Sequence, residues 1–79
     1  MTRNLLVNYE IIDGEKVNGE YVHKEAFTII TVSDYIATNL LESGKSGCAN
    51  NKIEKLLSAI ESLKDRCYVR NSIKSFKEA

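Results

Sequence analysis

Residues 4–32 read NLLVNYEIIDGEKVNGEYVHKEAFTIITV, and the fold turns on how this stretch is paired. Residues 4–12 alternate as a strand does. Leu5, Val7, Tyr9 and Ile11 share one face, and Leu6, Asn8, Glu10 and Ile12 share the other. Residues 20–32 are rich in β-branched and aromatic side chains and read as a second strand. Between them lie two turn dipeptides, Asp13-Gly14 and Asn18-Gly19.

Asn-Gly favours a two-residue turn with both residues left-handed. With Asn18-Gly19 at the tip, Leu5 faces Val32, Val7 faces Ile30, Tyr9 faces Thr28 and Ile11 faces Ala26. That pairing is coherent and apolar. With Asp13-Gly14 at the tip, Val7 would face Glu20 and the FTIITV segment would lack a partner. The expectation is therefore an Asn18-Gly19 hairpin with a bulge near Gly14; a longer loop over residues 13–19 is the rival.

The second face of this ribbon is not polar, because Leu6, Phe27 and Ile29 lie on it, with Ile12 farther along. A ribbon apolar on both sides must be covered on both. Helices or a third strand can do that, or a partner can.

After Val32 the period changes. Ser33 is placed to cap a helix from about Asp34 to Ser43, with Ile36/Leu40 or Ala37/Leu41 as its apolar pairs and Gly44 as its stop. Asn51 and Glu54 have capping-box spacing, and Ile53, Leu56, Leu57, Ile60 and Leu63 form an apolar stripe. The later apolar residues Val69, Ile73 and Phe76 fall out of phase with it, so the second helix should end near Asp65 or Arg66. Residues 67–76 read as a third strand, with a second helical piece as the alternative. The expected fold is a single α+β domain over residues 1–79, in the order β-β-α-α-β.

The run Gly44-Lys45-Ser46 resembles the end of a phosphate-binding loop. Such a loop needs a glycine five residues earlier, where Asn39 stands, and a strand before it, where a helix is expected. Nucleotide binding is therefore rejected. His23 on a strand reads as a surface residue. Cys48 lies in a glycine-flanked loop just before the second helix, the one setting here that favours a reactive thiol, and Cys67 reads as a small apolar packing residue. With one histidine and two cysteines, a closed structural zinc site is not expected. No acid pair, triad or metal cluster emerges, so the expectation is no enzyme and no cofactor.

The formal net charge is zero, with eleven basic and eleven acidic side chains. Residues 1–51 carry −3 and residues 52–79 carry +3. Arg66, Arg70 and Lys74 concentrate that basic character near Tyr68. Phosphates and stacked bases could be engaged there, which makes nucleic-acid binding the alternative function. The leading expectation is a non-catalytic protein-interaction module. Its contacts are Leu6, Phe27 and Ile29, and its partner is another protein or a second copy. No apolar run is long enough to cross a membrane, and no signal peptide is evident, so a cytoplasmic location is expected. Abundant Asn, Ile and Lys, all with AT-rich codons, suggest a phage or mobile-element accessory protein.

Overall fold

A computed structural model describes residues 1–43 and 51–79. Gly44, the Gly44-Lys45-Ser46 run and Cys48 lie outside the described residues. The elements are β1 (Thr2–Val17), β2 (Glu20–Ser33), α1 (Asp34–Ser43), α2 (Asn51–Ser62), β3 (Cys67–Tyr68) and β4 (Ser75–Glu78). β1 is the middle of one antiparallel sheet. β2 pairs along one of its edges, and β3 and β4 share the other.

The hairpin turns at Asn18 (φ 54°) and Gly19 (φ 83°), as the Asn-Gly dipeptide requires. Next to the turn, Val17 pairs with Glu20 and Lys16 with Tyr21. Beyond the bulge that contains Gly14 (φ 95°), the partners differ from those expected. Leu5 faces Ile30, Val7 faces Thr28, Tyr9 faces Ala26 and Ile11 faces Lys24. Between the pairs Ile12↔His23 and Lys16↔Tyr21, β1 holds residues 13–15 and β2 holds only Val22. The register therefore slips by two. Side chains alternate with period two, so every residue keeps its face although its partner changes.

That inner face carries the core. Leu5, Val7, Tyr9, Ile11, Ala26, Ile30 and Val32 from the hairpin join Ala37 and Leu40 of α1, Ile53 and Leu57 of α2, Ile73, and Phe76 of β4. α1 starts where expected, with Ser33 Oγ accepting from the Ile36 N–H at 3.3 Å. Arg3 ties this end together. Its guanidinium reaches Asp34 at 3.2 Å and Thr38 at 3.3 Å, and also pairs with Glu78 at the end of β4.

α2 buries a line different from the one its hydropathy suggests. Ile53, Leu57 and Glu61 are buried, whereas Leu63 is 89% exposed and Leu56 is also exposed. The spacing 53, 57, 61 is a straight i, i+4 row facing the sheet. Glu54 does not close a capping box; its Oε2 accepts from the Tyr68 hydroxyl at 2.7 Å and the Asn71 N–H at 2.9 Å. The helix proper stops at Ser62, and a closing turn carries on to Arg66. The Asp65 N–H donates to Ser62 C=O at 3.1 Å and the Arg66 N–H to Glu61 C=O at 2.9 Å, with Asp65 left-handed at φ 57°. This is a Schellman ending.

The single strand expected over residues 67–76 is two short ones. A turn with left-handed Asn71 (φ 60°) separates them. Across that gap Ser72 stands in for a strand. Its hydroxyl accepts from the Glu10 N–H at 3.0 Å and donates to Glu10 C=O at 3.3 Å. Cys67 is exposed and not packed as expected, because it pairs with Ile12 on the face that the helices leave open.

Candidate protein-interaction face

Both helices pack on the inner face, so the outer face is left to its own side chains. Pairing sets their order. Ile29 lies opposite Leu6, and Leu6 lies opposite Lys77 on the other side. In the next row Phe27, Asn8 and Ser75 stand side by side. Phe27 is 54% exposed and Ile29 60%, while Leu6 between the edges is half-buried. The three residues expected to meet a partner thus form one apolar patch. A depression of about 250 Å³ runs beside it, lined by Leu6, Asn8, Glu25, Phe27, Ser75 and Lys77.

Asn8 is oriented by charge. Its Nδ2 donates to Glu25 Oε1 at 3.2 Å, which turns Oδ1 away from that carboxylate. Asn8 Oδ1 is buried and meets no donor among the described residues. A buried acceptor of this kind is uncommon in a native fold.

Towards the hairpin tip the face becomes charged. Glu10 and Glu25 are directly opposite each other, a destabilising like-charge pair by itself. Cations offset it. His23 Nδ1 lies 3.0 Å from Glu10, and Lys74 Nζ lies 3.6 Å from Glu10 and 3.9 Å from Glu25. The hydrogen bond from His23, followed by the charge of Lys74, holds the Glu10 carboxyl below its usual range. Near the bulge Lys24 sits 2.8 Å from Asp13 and 2.6 Å from Glu15, and its pKa is pushed up to about 12, chiefly by the bond to Asp13.

The basic residues of the alternative reading do not converge. Arg66 Nε donates to the buried Glu61 carboxylate at 2.7 Å, beneath α2. Lys74 is on the opposite, outer face with Glu10 and Glu25. Tyr68 is engaged at both ends, its hydroxyl on Glu54 and its ring edge-on to Tyr9 at 5.7 Å. Arg70 is exposed and lines a depression of about 430 Å³ together with Tyr68, Glu54 and Lys55, so these two of the four residues do share one surface. Three of the four groups are therefore already engaged, on two different faces.

Hydropathy reading misses Glu61. Its carboxylate accepts from the Tyr9 hydroxyl as well as from Arg66. The signal that finds it is spacing, since it follows Ile53 and Leu57 on one helical row. Burial, then the bond to Glu61, raises the Tyr9 pKa, and burial with the bond to Glu54 does the same for Tyr68. These groups lock α2 and β3 to the sheet. Glu54 and Tyr68 also line the depression of about 430 Å³ beside α2.

Among the described residues no group of three or more His, Cys, Asp or Glu could hold a metal ion, and no helix is long and apolar enough to cross a membrane. No protein-family model, curated protein or solved structure matches the chain.

Proposed function

We propose that this chain is a non-catalytic protein-interaction module that docks a larger protein on the outer face of its sheet. One observation carries the reading: Phe27 and Ile29 are more than half exposed, adjacent, and continuous with Leu6 on the face opposite both helices. Isolated surface apolar residues need no explanation, but a contiguous patch on a sheet does. Small size and an abundance of Asn, Ile and Lys, residues with AT-rich codons, fit an accessory protein of a phage or mobile element, acting on a host protein in the cytoplasm.

The test is the double variant Phe27→Asp/Ile29→Lys. Both side chains lie outside the core, so the variant is expected to unfold cooperatively at nearly the wild-type urea midpoint. Against immobilised protein, any partner captured by wild type is expected to be lost. A variant that no longer folds shows that the face is core and ends this reading.

A further inference from the structure

The outer rim of β2 is the second surface that the fold leaves unmatched. The carbonyls of Asn4, Asn8 and Glu10 accept from Ala79, Lys74 and Val69, so the even residues of β1 point their backbone towards β3 and β4. Its odd residues therefore bond to β2, through Ile30, Thr28, Ala26 and Lys24. It follows that Glu25, Phe27, Ile29 and Thr31 direct their N–H and C=O groups to the open edge. Among the described residues no strand pairs there.

Open edges are commonly blunted by charge, proline or a bulge. Residues 26–33, AFTIITVS, have no charge, proline or glycine, and the hairpin's bulge begins beyond His23. We propose that this edge pairs with β2 of a second copy, antiparallel about a two-fold axis, and extends the sheet across both chains. A two-fold places odd residues against odd, so the free groups meet their own kind. With Thr28 at the axis, Phe27 lies opposite Ile29 of the second copy, and the pair recurs by symmetry. Glu25 then meets Thr31, and Lys24 meets Val32. Aromatic against β-branched is a favourable cross-strand pair, and no like charges are opposed. A formal net charge of zero imposes no long-range repulsion between copies. The outer patches become neighbours on one wider sheet yet stay open, so the pairing stands or falls apart from partner docking.

Light scattering across concentrations, at low and high salt, tests the proposal. Wild type is expected to reach twice the 8.9 kDa chain mass and to hold it in high salt. Ile29→Pro removes an N–H that points away from β1, a position where proline is tolerated, and is expected to lose the dimer. Leu6→Lys changes the face without touching the edge and is expected to keep it. A monomer up to about 1 mM, or a dimer indifferent to Ile29→Pro, overturns the proposal; so does a dimer lost only in Leu6→Lys. Should Ile29→Pro fail to fold, amide exchange of wild type decides. The Phe27, Ile29 and Thr31 amides must slow as concentration rises, and unchanged exchange refutes the pairing.

Discussion

The hydroxyl of Tyr9, on the central strand, donates to the carboxylate of Glu61, a helical residue with no exposure to solvent. A buried charge is tolerated only when it is paired and hydrogen-bonded. Here Arg66 supplies the counter-charge, and the Schellman turn supplies the geometry by folding the chain back so that Arg66 reaches Glu61.

Glu61→Ala leaves a buried hydroxyl and a partly buried guanidinium without their acceptor. The expected loss is roughly 3–5 kcal/mol, a large share of the roughly 4–12 kcal/mol typical of a domain this long. Tyr9→Phe removes one bond to a charged acceptor and should cost about 1.5–3 kcal/mol. Urea melts of both single variants and the double variant give the coupling. A Glu61→Ala loss under about 1 kcal/mol would show that the network does not hold α2 in place.

Asp65 occupies the left-handed position of the helix ending, where glycine has no steric penalty. It also places negative charge at a helix C-terminus. Asp65→Gly should stabilise by roughly 0.5–1 kcal/mol, seen as a rise of a few degrees in Tm. A lowered Tm by calorimetry would mean that the aspartate makes a compensating contact.

Stability should fall at both ends of the pH scale. Glu54 is held below its ordinary 4.5 by the Asn71 N–H and then by the Tyr68 hydroxyl. Its contribution is present above the unfolded value and is lost as pH falls through the lower folded one. Tyr9 and Tyr68 are raised above 10.0, by burial first, so their contribution is complete below that value. It is lost as pH climbs through 10 towards the folded values. Urea midpoints across pH should form a plateau with two falling limbs. Glu54→Gln should make the acid limb shallower but not flat, because Glu10 and Asp13 are lowered too. An acid limb unchanged in Glu54→Gln would remove Glu54 from the account.

The hairpin is legible because a period of two and an Asn-Gly pair are both local signals. α1 is legible from Ser33 and the change of period. The slip at the bulge is not, since a two-residue shift alters every partner but no face, and alternation records only faces. Glu61 escapes because a search for apolar stripes passes over a carboxylate, and its counter-ion lies five residues on. Residues 67–78 defeat periodicity for another reason. Strands of two and four residues are too short to show a period, and a serine hydroxyl bridges the gap between them. The outer face is the instructive case. Leu6, Phe27 and Ile29 announce a second apolar surface, but which surface the helices choose depends on Ala37, Leu40, Ile53 and Leu57 fitting against Leu5, Val7 and Ile30.

The two-residue bulge at Gly14 also separates two kinds of information in one hairpin. Pairing on the tip side follows one alignment and pairing on the core side another, offset by two residues. Residues 4–12 and 23–32 answer to the packed interior. Residues 13–20 are solvent-exposed and are tied to the core side of the bulge by Lys24, which pairs with Asp13 and Glu15. Substitutions at the exposed tip positions are thus free of the packing demands that fix the residues on the core side.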